Sequence, residues 1–189
     1  FINLSSLFRI MIIGVTGTYA SGKDTVAEII IKSGFNHISF SDILREELKK
    51  EEKEITRDDL ITGGNKLREK YGPDILAKKA LDKVKEGNYI MTSIRTPSEV
   101  ELLKREKDFI IIKVTAPTDI RLKRIINRNR EKDPKTLEEL EEKESRENTE
   151  DPNSQQLNKV ADMTTKEITN NSTLEELDKQ VKELLSNII

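Results

Sequence analysis

Gly17, Gly22 and Lys23 stand at a chemically suggestive spacing in "GVTGTYASGKDT". Residues of these types, so spaced, can hold a polyphosphate. Glycines let a backbone curl around phosphate oxygens without a Cβ in the way. A following helix would offer unpaired N–H groups and a positive dipole end. Lys23 adds a point charge for β and γ phosphates. The common pattern ends in Ser or Thr after the lysine, whereas here Asp24 follows and Thr25 comes next. A carboxylate is a hard oxygen ligand, so Asp24 can hold Mg²⁺ directly or through water. Without the metal its charge would repel phosphate. The alternative is that Thr25 ligates or caps while Asp24 points away.

Moving a phosphoryl group is mostly positioning and charge neutralisation, so further cations are expected. Arg45 in "SDILRE" and Arg95 in "SIRTP" each follow an apolar run. Arg124 and Arg128 in "RIINR" are four apart and share a helical face. A single arginine is commonly a surface charge, but several just past successive strands favour a polyanion pocket. Arg57, Arg68, Arg130 and Arg146 are weaker candidates. Asp42 reads as a helix N-cap, or as a metal-water ligand or base for an acceptor hydroxyl, and these roles are compatible. The single histidine, His37, reads as structural.

The elements that must position these groups are legible in the periodicity. "RIMIIGVTG" reads as a buried parallel strand, and "DTVAEIIIKSG" as a helix stopped by Gly34. The glycine-rich stretch therefore joins a strand to a helix, the context its chemistry needs. "NHISFS", "NYIMTSI", "DFIIIKVTA" and, more weakly, "ADMTTKEITNN" supply four more strands. Helices are expected at "DILREELKKEEK", opened by Ser41 or Asp42, and at "TRDDLITGGNKLREKY". Others are expected at "PDILAKKALDKVKEG" with Pro73 in its first turn, at "PSEVELLKRE", at "TDIRLKRIINRN" and at "TLEELDKQVKELLSNI". Alternating strands and helices imply a doubly wound α/β sheet in three αβα layers, five-stranded and mainly parallel. Between residues 127 and 152 the only aliphatic side chains are Leu137 and Leu140. That segment reads as a small helical lid, too poor in core residues to be anchored firmly.

The 189 residues suggest one domain, 11–189, preceded by an extension at 1–10. Absence of cysteine excludes disulfides, cysteine zinc sites and thiol catalysis. It fits a reducing, cytoplasmic setting. The net charge of −2 gives no whole-protein attraction to nucleic acid or anionic lipid. No apolar run approaches the roughly 18 residues of a membrane span. Neither nucleic acid nor membrane is an expected partner, and oligomeric state is not legible.

Taken together, these residues resemble the nucleoside-monophosphate-kinase branch of P-loop proteins. "GVTGTYASGKDT" looks like the phosphate loop of that branch, and "FSDILREE" resembles the adenylate kinase segment that sets an arginine on the acceptor. "SIRTPSEVELL" is similar to its arginine segment after strand three, and "RLKRIINR" to its lid entrance. "ADMTTKEITNNSTLEEL" resembles the end of dephospho-CoA kinases. "SGKDT" with "SIRTPSEV" is also similar to deoxynucleoside monophosphate kinase-like proteins and to the kinase-like N-terminal domain of some deoxycytidylate deaminases. The resemblance implies a P-loop NTPase fold binding ATP and Mg²⁺. It assigns Gly17, Thr18, Ala20, Ser21, Gly22, Lys23, Asp24, Thr25, Arg124 and Arg128 to ATP, with Asp24 and Thr25 at the metal. It assigns Asp42, Arg45 and Arg95 to a nucleotide-like acceptor, either a (deoxy)nucleoside monophosphate or dephospho-CoA. Lys23, Asp42, Arg95 and Arg128 would act in transfer. Thr92 departs from the pattern, because these kinases often carry an acidic residue there for the metal. That departure keeps a non-catalytic ATP-binding regulatory domain as the alternative. A switch GTPase is disfavoured, since no Asp has Gly three residues later.

Overall fold

The computed structural model describes residues 10–49, 55–128 and 133–189. Five strands form one sheet: β1 (Ile12–Gly17), β2 (Asn36–Ser39), β3 (Tyr89–Thr92), β4 (Phe109–Thr115) and β5 (Lys166–Thr169). Their order is β2-β3-β1-β4-β5, and every pairing is parallel rather than mainly so. The helices are α1 (Lys23–Lys32), α2 (Phe40–Leu48), α3 (Arg57–Tyr71), α4 (Ile75–Leu81) and α5 (Pro97–Leu103). They continue with α6 (Thr118–Arg128), α7 (Leu137–Ser145), α8 (Leu157–Asp162) and α9 (Leu174–Ser186).

Alternation along the strands divides the core between two faces. Ile13, Val15, Ile112 and Val114 pack with α1 and α9 residues such as Val26, Ile30 and Val181. Ile12, Met91 and Ile111 pack on the other face with Phe40, Leu76, Val100 and Val160. Each fully buried aliphatic or aromatic side chain contributes about 1.5–3 kcal/mol. The central strand β1 lies between β3 and β4, so the chain after β1 emerges where the strand order reverses. In open α/β sheets that crevice is where ligands bind.

Several elements differ from the sequence reading. Helix α2 begins at Phe40, and its N-cap is Ser39, whose hydroxyl accepts from the Asp42 N–H at 3.3 Å. Asp42 is therefore inside the first turn and is not the cap. The strand-like run "HISFS" hid this boundary, because Ser39 both ends β2 and caps α2. Pro73 precedes the Asp74 N-cap of α4, and its carbonyl accepts from Thr96 Oγ1. Helix α8 was not foreseen, being a short run holding one buried aliphatic residue, Val160. Expected features at residues 1–9, 50–54 and 129–132, with Arg130 and the Arg57 side chain, lie outside the described residues.

The 127–152 segment has more anchorage than its composition suggested. Leu140 is fully buried with Ile125 and Tyr19 in a small cluster of its own. Glu144 pairs with the buried Arg121 at 2.5 Å, and Glu147 pairs with Arg95 at 3.4 Å. Among the described residues no helix is long and apolar enough to cross a membrane.

Candidate active site

The stretch from Gly17 to Gly22 leaves the carbonyl end of β1 and turns directly into α1. Gly22 has φ +94°, and a Cβ there would lie 2.0 Å from Asn170 Nδ2. Only glycine satisfies both the left-handed backbone and that approach. Ala20 is also left-handed, at φ 59°. The rear of the loop is clamped by residues from two other elements. Asn170, just past β5, donates from Nδ2 to the Ser21 carbonyl at 2.9 Å. Arg124 on α6 donates to the same carbonyl at 3.3 Å and to the Asn170 side-chain oxygen at 2.9 Å. Arg124 thus holds the loop's shape, a structural duty its sequence position did not reveal. Asn170 went unnoticed too, because its one signal was a pair of polar residues after a weak strand.

The front of the loop carries Tyr19. Its ring lies between the Arg128 guanidinium at 4.8 Å and the Lys143 ammonium at 4.4 Å. Its hydroxyl donates to Asp133 at 2.6 Å, and Arg128 also donates to Asp133. Burial pushes the Asp133 carboxyl up, but hydrogen bonds from Arg128 and Tyr19 outweigh it and hold the pKa below the ordinary value. A depressed carboxylate pKa adds stability above the unfolded value and loses it as pH falls through the folded value. The Tyr19–Asp133–Arg128 cluster should therefore hold above about pH 4 and release only below it. Tyr19 ring resonances followed by NMR through an acid titration check this: a transition near neutral pH would contradict it.

Tyr19 is tied to α7 from a second side. Its N–H donates to Glu144 Oε1 at 3.3 Å, while Arg121 donates to the Tyr19 carbonyl at 3.1 Å. Arg121 is 6% exposed. Nothing in the sequence marks Arg121 off from the other arginines of its helix.

A cavity of about 660 Å³ opens in front of the loop. Lys23, Asp24, Thr25, Asp42, Arg45, Arg95, Arg124 and Arg128 all line it, together with Ala20 and Gly22. Gly17 and Thr18 line a neighbouring hollow instead. Ser21 is fully buried, and its hydroxyl makes no hydrogen bond. A smaller cavity of about 280 Å³ adjoins the first and shares Ser41, Arg45, Ser93, Arg95 and Glu147 with it. Its floor is apolar, with Phe40, Leu44, Leu60 and Leu76.

At the junction of the two cavities Ser93 takes φ 64° directly after β3. A left-handed non-glycine residue costs about 1–3 kcal/mol and is held by its surroundings. Here Ser93 Oγ lies 3.1 Å from Ser41 Oγ, which is 2.9 Å from Ser39 Oγ. Thr92 hydrogen-bonds His37 Nε2 at 2.9 Å, so a hydroxyl and an imidazole, not a carboxylate, stand at this position. Asp42 is an exposed partner of Arg45 at 2.6 Å. Arg68 is buried and donates twice to the fully buried Glu99, at 3.2 and 3.0 Å. Arg146 is an exposed partner of Glu142.

Mg²⁺ prefers one or two carboxylates together with substrate phosphates and water. The donors on this cavity fit that demand, since Asp24, Thr25 and Asp42 all offer hard oxygens. Among the described residues no group of three or more His, Cys, Asp or Glu could hold a metal ion unaided.

Comparison with known proteins agrees with this geometry. A family model described as an AAA domain, AAA_17, matches residues 16–141. A UPF0200 protein of Sulfurisphaera tokodaii is 32% identical over 181 residues, covering 95% of this chain and 98% of that protein. Another, from Thermococcus kodakarensis, is 32% identical over 187 residues, with 95% and 98% covered. A UPF0200/UPF0201 protein of Archaeoglobus fulgidus is 29% identical over 186 residues, and the chain spans 56% of its length. Among solved structures, shikimate kinase from Bacteroides thetaiotaomicron superposes with a TM-score of 0.61 at 14% identity, covering 94% and 99% of the two chains. A gluconokinase from Sinorhizobium meliloti gives 0.51 at 20% identity, with 95% of each covered. These likenesses are of fold alone. The family-model match over residues 16–141 and the near-full-length match to the UPF0200 proteins place the chain in the AAA_17 group of P-loop kinase-like domains and among the UPF0200 proteins.

Proposed function

We propose that the protein is an ATP-dependent small-molecule kinase acting on a nucleotide-like acceptor. The observation that carries this reading is convergence. A strand–loop–helix phosphate cradle and arginines from α2, α6 and the β3 exit line one cavity, with a second cavity beside it. Lys23 and the loop N–H groups would hold the β and γ phosphates. Arg128 and Arg95 would neutralise charge on the transferred group, and Arg45 would hold the acceptor. Arg124 would meet ATP with the face its clamp leaves open. Mg²⁺, held by Asp24 or Thr25, would supply charge neutralisation between the β and γ oxygens. The acceptor would be a (deoxy)nucleoside monophosphate or dephospho-CoA, and the setting cytoplasmic. The segment around α7 would move as a lid.

The test is ADP release from Mg-ATP across all nucleoside and deoxynucleoside monophosphates and dephospho-CoA. Release with one acceptor class supports the kinase. ATP binding without release from any acceptor supports a regulatory nucleotide-binding domain, a reading favoured by the Thr92–His37 pair, which places no carboxylate at the end of β3.

A further expectation concerns the metal. Asp24 is exposed on the cavity beside Lys23, so its carboxylate meets a triphosphate unless a cation intervenes. Mg²⁺ should tighten ATP binding by more than about tenfold, or about 1.4 kcal/mol. Asp24→Ser should shrink that ratio. Calorimetric titration with and without chelator decides it, and equal affinities would rule it out.

A further inference from the structure

Glu147 is 4% exposed, yet it lines both the phosphate-side cavity and the smaller cavity beside it. In the sequence it is lost within a run of charges after α7. The fold fixes it closely. Its carbonyl accepts from the Leu157 N–H at 3.2 Å, and the chain before α8 passes the β3 exit, where the Gln156 N–H donates to the Arg95 carbonyl at 2.9 Å. Its carboxylate faces Arg95 Nη1 at 3.4 Å. Asp42, the base suggested by sequence, lines only the larger cavity and is more than half exposed.

The arginines that line the smaller cavity are paired. Its three arginines each face a carboxylate: Arg45 faces Asp42, Arg68 faces Glu99, and Arg95 faces Glu147. Of those three carboxylates, Glu147 is the one that lines the smaller cavity itself. A site for a dianionic acceptor phosphate needs uncompensated cations, and a carboxylate at the junction would repel it. An alcohol needs the reverse: a buried acceptor of its hydrogen bond, placed between the two cavities.

We propose that Glu147 receives the acceptor hydroxyl, so the group phosphorylated here is an alcohol and not a phosphate. This rests on the kinase reading above and narrows it to the hydroxyl-bearing class. The hydroxyl proton passes to the Glu147 carboxylate as its oxygen bonds to the γ phosphorus of ATP. The bond from that phosphorus to the β-γ bridging oxygen breaks, and ADP leaves. The Glu147 carboxyl then returns its proton to water. Arg95 keeps the carboxylate oriented.

The experiment uses the full chain with Mg-ATP and two sets of probes. Nucleoside monophosphates offer a phosphate, while dephospho-CoA and ribonucleosides offer only hydroxyls as acceptors of a new ester. Phosphorus NMR separates an ester product from a diphosphate. The expected product is an ester. Glu147→Gln, nearly isosteric, should lower its formation by about 10²-fold and flatten the acid limb expected of the parent's pH–rate profile. It should also bind AMP more tightly, because Arg95 is released. Glu147→Asp should recover part of the rate. A melting curve checks that the variant is folded. Formation of nucleoside diphosphate, or a Glu147→Gln variant with the parent's pH profile, overturns the assignment alone. Loss of all Lys23-dependent ATP binding and transfer overturns the kinase reading, and this proposal with it.

Discussion

Lys23→Ala should reduce phosphoryl transfer by about 10³-fold or more, while leaving the fold intact. Lys23 opens α1 at the mouth of the loop and is only partly buried, so its ammonium is not part of either core cluster. On the kinase reading its charge would serve the triphosphate. Removing one preorganised donor from a developing oxyanion commonly lowers the rate by about 10²–10³. A full positive charge on the transferred group is worth at least as much, since phosphoryl transfer is almost wholly electrostatic positioning. The measurement is single-turnover ADP formation on parent and variant, beside their denaturation midpoints. A variant with unchanged midpoint and lost turnover meets the expectation. Parent-like turnover would mean that the loop's lysine does not touch ATP, and the kinase reading would fall.

The loop and its strands were legible because their signals are local. Ile12, Ile13, Gly17, Gly22 and Lys23 lie within one short stretch, and apolar run, glycine spacing and lysine all point to one structure. Arg45, Arg95, Arg124 and Arg128 were legible as a set, since the first two follow strands and the last two share a helical face, and the structure does bring them to one cavity. Their partners were not legible. Arg68 meets Glu99 across 31 positions, and Tyr19 meets Glu144 across 125. No periodicity or motif reports which of 35 acidic residues faces which cation. Tyr19 was passed over because a variable position of the loop carries no rule, yet its ring holds two cations. The acidic stretch around α7 was read by composition as weakly held. Composition counts apolar residues and misses that Leu140 and Glu144 each have a buried partner and that Glu147 is itself buried against Arg95.

Glu99→Ala should destabilise the protein by about 3–5 kcal/mol, the usual result of leaving one member of a buried ion pair alone. Glu99 is fully buried and serves three elements at once. Its Oε1 accepts both hydrogen bonds from Arg68 on α3. Its Oε2 accepts from the backbone N–H groups of Arg95 at 2.7 Å and Thr96 at 3.1 Å, closing the capping box that starts α5. Truncation would therefore strand the Arg68 guanidinium inside the protein, open the α5 cap and release the backbone that aims Arg95 into the cavity. Glu99→Gln keeps the volume and one acceptor oxygen, but its amide N–H₂ would face donors on one side. It should lose less stability than Glu99→Ala and still misplace Arg95. Denaturant unfolding gives the first quantity, and turnover at a temperature where both variants are folded gives the second. The double variant Arg68→Met with Glu99→Leu supplies the control. If the pair's main contribution is satisfaction of its own buried charges, that variant should regain much of the stability, because an apolar pair of similar volume avoids the desolvation of both ions. It should not regain turnover, since no carboxylate remains to hold the Arg95 and Thr96 N–H groups.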